Sequence, residues 1–483
     1  MDGHSLDWAG QPDVYKTYAG LEPVGLSREP RLPGTPLSAL FQQSPATAPK
    51  NTITAEDLSA LLLLTYSLTA KTRHPGGDFY YRSVASAGAL YPAEIYTALA
   101  GIEGLEDGLY HFSIARHGLT RLRSGSEIAF LIPDQPEPRA VGPQLIFFLT
   151  AIFFRSSWKY RDRAFRYHLL DTGHVLEHLV LALRALSLPY RLTFDFEDSV
   201  LGRFLGLDEN REAPLALCLV NTAEVAFSAI SSLEPLPADF EQASRVSPRE
   251  VGYPLIREAY QAGRTLQTGT APDLNMATRL GPLPASWSPG PGPPPETLET
   301  PLEQTVFSRR SRRNYVTTPL GQEGWQALWG AMALSAGEEL AGMPLQQILA
   351  VGCLAGRAEG VSPGFYLLDG PSRSFGLCAP GTFTASMAHV CLDQAWLAQA
   401  AVHFCFLTNL RLLEEQWGAR GYRYAMLQAG RLGERLYLTA AALGLGCCGI
   451  GALYDQEAAD LLDLNEDSRL LYLVAVGPVK SSR

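Results

Sequence analysis

Leu169, Gly173, Leu176, Val180 and Leu183 recur at the spacing of one helical face, which predicts a core helix over about 163–187. Before it, Gln144–Phe154 (QLIFFLTAIFF) is a continuous apolar run, the pattern of a buried strand. Leu215–Val220 reads as a closing strand. Upstream, Thr54 ahead of Glu56, Asp57 and a leucine run predicts a capped helix through about Leu68. Between these lies Ser86-Ala87-Gly88-Ala89-Leu90-Tyr91-Pro92, then Glu94-Ile95-Tyr96. Its small residues let backbone approach a neighbour closely, its proline sets the exit, and the residues after it read as a strand. Taken alone, the stretch is equally a tight loop entering a strand. Residues 1 to about 50 are rich in proline and polar residues and read mostly as loop.

The pattern then repeats. An offset of 257 aligns Gln144–Val220 with Ala401–Gly477 without a gap, with identities that include Arg163/Arg420, Arg166/Arg423, Tyr167/Tyr424, Gly173/Gly430, Glu177/Glu434 and Asp198/Asp455. An offset of 267 aligns Ser44 with Ser311 and Glu56 with Glu323, so the second copy is 10 residues shorter, and the missing length falls around Ser86–Pro92. Between the copies, one amphipathic piece at Leu255–Ala262 sits among turn residues, and Gly281–Pro295 (GPLPASWSPGPGPPP) reads as an extended linker. The expected division is a first domain at 1–228, a linker at 229–300 and a second domain at 301–483. Two copies in one chain suggest a covalent pseudo-dimer, a monomer acting as an internal dimer.

Composition narrows the classes. At 483 residues the chain exceeds one ordinary core, and 46% hydrophobic with 18% charged residues suits a globular protein. No apolar run approaches a membrane span, and Met1–Gly10 lacks a basic region followed by an apolar run, so a cytoplasmic protein without a secretory signal is expected. A net charge of −10 argues against nonspecific binding to nucleic acid or anionic lipid. The seven cysteines form no CxxC pair or zinc spacing, so free thiols and no metal are expected.

Three constellations differ between the copies. Arg309-Arg310-Ser311-Arg312-Arg313 offers guanidinium forks and a hydroxyl matched to phosphate oxygens, or simply a solvated charged face. Its counterpart, Gln42-Gln43-Ser44-Pro45-Ala46, has no arginine, and a solvated face has no reason to be basic in one copy only. Leu445-Gly446-Cys447-Cys448-Gly449-Ile450-Gly451-Ala452 brings glycine amides toward a planar ligand, or marks a glycine-capped helix end. Its counterpart, Leu188–Asp195, has a proline and bulky residues and no glycine. Trp158-Lys159-Tyr160 places a lysine beside a tyrosine after a buried strand, a general acid or base pair or a surface lysine with a packed tyrosine. The second copy has Gln416-Trp417 there.

SAGALYP-x-E-I-Y with Lys159-Tyr160, Arg166-Tyr167 and Gly173-His174 resembles the SagB-type (azoline oxidase) branch of the FMN-dependent nitroreductase superfamily. The RRS-x-R start and the LGL-x-x-x-GIGA segment resemble the general nitroreductase pattern, and together the resemblance covers both copies. It implies an α+β fold, a central mixed, largely antiparallel sheet wrapped by helices, duplicated in tandem. It implies FMN bound between two copies: Arg309, Arg310, Ser311 and Arg313 on ribityl and phosphate, and Gly449, Ile450 and Gly451 near flavin N5. Ser86, Ala87, Gly88 and Leu90 would come from the other copy. Lys480 and Arg483 stand where a basic C-terminal segment reaches the phosphate, or form an exposed tail. Lys159 and Tyr160 match a pair implicated in oxidising peptide thiazolines and oxazolines, with Lys159 the expected base, its basicity lowered by burial.

The losses are complementary. The first copy keeps the small-residue loop and Lys-Tyr. The second keeps the arginines and glycines, with only Ala341-Gly342-Met343-Pro344, or Ser335-Ala336-Gly337, near the loop position. One complete and one defective site follow. Three alternatives stay open: an NAD(P)H-dependent nitroaromatic or quinone reductase, a dehydrogenase of another amino-acid-derived C–C or C–N bond, and a flavin-binding protein without turnover. Either O2 or NAD(P)H completes the redox cycle.

Overall fold

The computed structural model describes residues 6–42, 52–74, 77–125, 144–220, 234–266, 274–290, 298–332, 339–340, 343–344, 347–369 and 372–480. It divides into one compact unit of residues 1–33 and 45–266 and another of 34–44 and 267–483.

In the first unit a seven-stranded sheet is built from Val24–Gly25 (β1), Ala93–Ala100 (β2), Gly108–Ser113 (β3), Gly118–Ser124 (β4), Gln144–Ile152 (β5), Tyr190–Thr193 (β6) and Glu212–Val220 (β7). The order is β1-β4-β3-β2-β5-β7-β6, with every pair antiparallel. The apolar run of β5 lies at its centre, so its side chains are buried on both faces. Helix α1 (Ala55–Thr65) opens on a reciprocal cap between Thr54 and Asp57. It stops three residues short of the expected end, and Leu68–His74 pairs with Gly77–Arg82 in a hairpin. Helices α2 (Phe153–Tyr160), α3 (Ala164–Ala185) and α4 (Asp198–Leu205) follow.

The second unit repeats this plan. Ser288–Pro289 (β8), Ala350–Ala355 (β9), Gly364–Asp369 (β10), Ser374–Pro380 (β11), Val402–Asn409 (β12), Gly446–Ile450 (β13) and Ser468–Gly477 (β14) take the order β8-β11-β10-β9-β12-β14-β13, again antiparallel throughout. The expected mixed character enters only through isolated parallel bridges such as Ser311–Cys447. Gln322–Met332 repeats α1 at the offset of 267, while Leu410–Trp417 and Arg420–Ala442 repeat α2 and α3 at 257. The ten-residue difference falls between the first helix and the strand β2 or β9, where the first copy carries the hairpin Leu68–His74/Gly77–Arg82 and the Ser86–Pro92 loop and the second a shorter hairpin, Glu339–Leu340 with Met343–Pro344. Within the second unit, the identical tripeptides Thr35-Pro36-Leu37 and Thr300-Pro301-Leu302 pair antiparallel. Leu37 N–H donates to Thr300 C=O (3.2 Å), and Leu302 N–H to Thr35 C=O (3.0 Å), a local two-fold.

The compact units divide at other positions than 228 and 301, and a few residues of the expected linker pack onto one unit or the other. Helix α5 (Pro254–Ala262) buries Ile256 and Tyr260 against Phe153 and Ala164. Ser244 is buried with Lys16 and Glu212, and in the second unit Leu274, Met276 and Leu280 are buried. The amphipathic period of α5 supplied an apolar face that the nearby prolines concealed. Even in the proline-rich run, Ser288–Pro289 pairs with the edge of β11.

Each unit buries charged side chains, among them Lys16 and Glu212 in the first and Arg309 and Glu434 in the second. Lys16 and Glu212 pair at 2.5 Å with neither side chain exposed. Burial alone would raise the Glu212 carboxyl, but the Lys16 ammonium more than offsets this and holds it low. Two histidines stay neutral for the opposite reason: burial lowers His168 and His403 to about 4. Each donates Nε2–H to a carbonyl, of Phe153 and Leu397 respectively, at 3.0 Å. Such a group takes up a proton on unfolding, so its stabilisation is complete above about pH 6.5 and is lost as pH falls toward about 4. Chemical denaturation between pH 7 and 5 is expected to show stability falling on acidification, by about 1.4 kcal/mol per pH unit for each histidine at most. His168→Gln with His403→Gln should flatten that slope.

Candidate functional site

The first unit assembles one half of the expected constellation. Ser86 and Ala87 lead into a turn in which Gly88, Ala89 and Tyr91 all have positive φ (64°, 55° and 48°). Gly88 meets the end of α2: a Cβ added to it would lie 2.8 Å from Tyr160 Oη and 3.2 Å from Lys159 Nζ. The residues that sequence placed 71 positions apart therefore touch. Tyr160 packs against Tyr167 in a tilted arrangement, with ring centroids 4.5 Å apart. Lys159 Nζ lies 5.4 Å from the Tyr160 ring centroid. Lys159 is exposed, so the burial expected to favour its neutral form is absent. Leu90 is buried with Ile152, Phe154, Trp158 and Val246, which makes it the apolar anchor of the turn.

The second unit assembles the other half. Ser311 bridges Cys447 in parallel, and Arg312 N–H donates to Cys447 C=O (2.9 Å), so the arginine segment runs as an added strand beside β13. Arg309 is buried, 3.7 Å from Glu434 and with its guanidinium 5.4 Å from the Tyr437 ring centroid. Arg310 donates to the Phe307 and Arg309 carbonyls, capping helix α6 (Leu302–Ser308). Arg313 is exposed, lies over Trp396 at 5.3 Å, and donates Nε–H to Cys448 Sγ (3.5 Å). Burial raises the Cys448 thiol above its ordinary value. On the segment's far side Lys480 N–H donates to Asn314 C=O (3.2 Å), so exposed Lys480 lies close to the arginines in this unit. Arg483 lies outside the described residues, as do Gln43 and Gly342.

The glycine segment departs from expectation. Gly446–Ile450 is the edge strand β13, and the Gly449 N–H donates to Tyr437 Oη (2.7 Å). Tyr437 Oη also bonds Ser311 Oγ (3.0 Å), so one phenol joins the arginine segment to the glycine strand. Gly449 is there because a side chain has no room: a Cβ would lie 1.8 Å from Tyr472 Oη and 2.5 Å from its Cζ. Ile450 is buried and pairs with Leu473, and Gly451 is buried just beyond the strand. Gly449→Ala is expected to destabilise by roughly 1–3 kcal/mol, the usual cost of overpacking against a rigid ring, measured by urea unfolding.

Sequence reasoning passed over Asp171, Arg155, Tyr437 and Trp396. Two carried a signal: Asp171 and Arg155 are charged residues among apolar ones, replaced by Gln428 and Leu412 in the second copy.

Comparison with known proteins agrees with this architecture. The Nitroreductase family model matches residues 355–478. A nitroreductase-like protein of Methanocaldococcus jannaschii is 30% identical over 168 residues, 34% of this chain and 79% of that protein. The trifolitoxin-processing protein of Rhizobium leguminosarum is 31% identical over 173 residues, 34% of this chain, and the match spans 46% of that relative's length. The microcin B17-processing protein of Escherichia coli is 27% identical over 173 residues, 61% of its length. A nitroreductase-like crystal structure from Anabaena variabilis superposes with a TM-score of 0.74 at 25% identity, covering 99% of this chain and 96% of that one. Among the described residues no helix is long and apolar enough to cross a membrane, and no group of three or more His, Cys, Asp and Glu is placed to hold a metal. Two copies of one α+β fold, and relatives that share it, make this chain a member of the nitroreductase family.

Proposed function

We propose that the chain is an FMN-dependent oxidoreductase of the SagB type, oxidising an azoline or related peptide-derived ring. The observation that carries this reading is the convergence of Lys159 Nζ and Tyr160 Oη on Gly88, in the copy that retains all three. The relatives named for processing trifolitoxin and microcin B17 support a peptide-derived substrate.

The residues present fit FMN. Guanidinium groups of Arg309, Arg310 and Arg313, the Ser311 hydroxyl and nearby Lys480 form a donor set suited to a phosphate monoester. Gly449 N–H is already given to Tyr437, so within this segment Ile450 and Gly451 remain the residues proposed to lie near the ring. Ser86, Ala87 and Gly88 offer a side without bulky groups. The reciprocal losses between copies support one complete set of FMN-binding residues per chain. FMN held there would supply a two-electron acceptor for the substrate's hydride. Lys159 Nζ takes the proton released from the adjacent ring position, and Tyr160 Oη orients it or shares the proton. Since Lys159 is exposed, bound ligand has to provide the water exclusion that favours a neutral lysine.

Incubating the purified, FMN-loaded protein with a synthetic thiazoline peptide in air tests this reading. The expected product is the thiazole, lighter by two hydrogens in mass spectra. An unchanged peptide together with rapid NADPH oxidation in the presence of a quinone would replace it with the reductase reading. A protein that binds FMN and does neither would leave a flavin-binding role.

A further inference from the structure

We propose that Asp171 and Arg155 are positioning residues that hold the strained Ser86–Tyr91 turn against Lys159 and Tyr160. The inference rests on the reading of Lys159 and Tyr160 given above. Non-glycine residues at positive φ cost on the order of 1 kcal/mol each, so Ala89 and Tyr91 persist only where surroundings impose them. Two buried side chains from the helices flanking the site do so. Asp171, on α3, accepts the Ser86 Oγ–H (2.5 Å) and the Ala87 N–H (3.2 Å). Ser86 Oγ in turn accepts the Tyr91 N–H (2.9 Å), closing the turn on itself. Arg155, on α2 one turn before Lys159, is fully buried. It donates to the Tyr91 C=O (3.1 Å) and to the Glu94 carboxylate, and its Nε–H to the Asp13 C=O (3.0 Å). His111 also bonds Glu94 (2.8 Å). Arg155 thus links the helix that carries Lys159 directly to the end of the turn that carries Gly88.

The second copy differs in sequence at each of these positions. At the positions of Arg155, Glu94 and Asp171 it has Leu412, Val351 and Gln428, and at those of Lys159 and Tyr160 it has Gln416 and Trp417. The shared scaffold of Arg420, Arg423, Tyr424 and Glu434 is retained. A buried charged network is costly to keep and is not needed for this fold to form. It is present in the copy that has a turn to position and absent from the copy that has lost it.

The test is hydrogen exchange and turnover on the FMN-loaded full chain carrying Asp171→Asn, Asp171→Ala or Arg155→Lys. Asp171→Asn keeps one acceptor oxygen and Arg155→Lys keeps the charge, so both guard against simple failure to fold. In Asp171→Ala, amide exchange across 86–91 is expected to accelerate at least tenfold, with 93–100 unchanged. Asp171→Asn should show a smaller acceleration. Turnover of the thiazoline peptide should drop about tenfold or more through kcat, and the same substitution made in a Lys159→Ala background should cost nothing further. Unchanged exchange at 86–91, or acceleration spread equally over the sheet, would overturn the proposal. Losses that simply add to those of Lys159→Ala would do so as well. If Lys159→Ala proves silent while exchange at 86–91 still rises, the positioning role stands and the base assignment falls.

Discussion

Replacing Lys159 with alanine is expected to lower oxidation of a thiazoline peptide by roughly 10²-fold or more while the protein keeps its FMN and its stability, as for loss of a general base. The side chain is exposed at the end of α2, so its removal opens no cavity, and surface truncations of this kind usually change stability by about 0.5 kcal/mol or less. A loss in kcat would therefore report chemistry and not unfolding. Tyr160→Phe separates the partners: it removes the Oη beside Gly88 but keeps the ring that packs against Tyr167, so a smaller loss is expected. Undiminished turnover in Lys159→Ala would remove the lysine from the mechanism. Release of FMN from that variant would make it a cofactor contact instead.

One chain is expected to release one FMN on denaturation, and Arg310→Ala to weaken FMN binding by about 1.5–3 kcal/mol, the range for a lost hydrogen bond to a charged group. In dissociation constant this is roughly ten- to 150-fold. The Arg310 guanidinium donates to the Phe307 and Arg309 carbonyls, so a phosphate contact from it has to share those donors. Arg313 is exposed above Trp396 and donates Nε–H to Cys448 Sγ, and Arg313→Ala tests whether a guanidinium on an aromatic face contributes as much. Fluorescence titration of the apoprotein measures both. Two flavins per chain would contradict the view that each copy has kept only half a site. An Arg310→Ala protein with unaltered affinity would reduce that residue to a helix cap.

Much of the architecture was legible without coordinates. An apolar run lacking period marked β5, a helical period marked α3, and a Thr54–Asp57 cap marked α1, because each is a local consequence of side-chain spacing. The duplication was readable for a related reason: an ungapped offset preserves the order and spacing of the elements, and Leu410–Trp417 and Arg420–Ala442 fall where the repeat puts them. The packed segment after residue 234 was less legible, because its few apolar positions lie among prolines and acquire a partner only when α5 meets Phe153 and Ala164.

The sequence by itself determined which residue types each copy retained, and so the pairing of a small-residue turn with Lys-Tyr and of arginines with a glycine strand. Only the tertiary structure decided what those residues do to one another. Gly88 has to be glycine because its φ is positive and Tyr160 Oη occupies the place of a side chain. Gly449 has to be glycine because Tyr472 fills the space, and its amide serves Tyr437. The carboxylate of Asp171 and the guanidinium of Arg155 meet a turn more than 60 residues away in sequence. Spacing along the chain carries local periodicity and composition. Hydrogen bonds made across such separations depend on where the sheet and helices bring the backbone, and that is set by the packed whole.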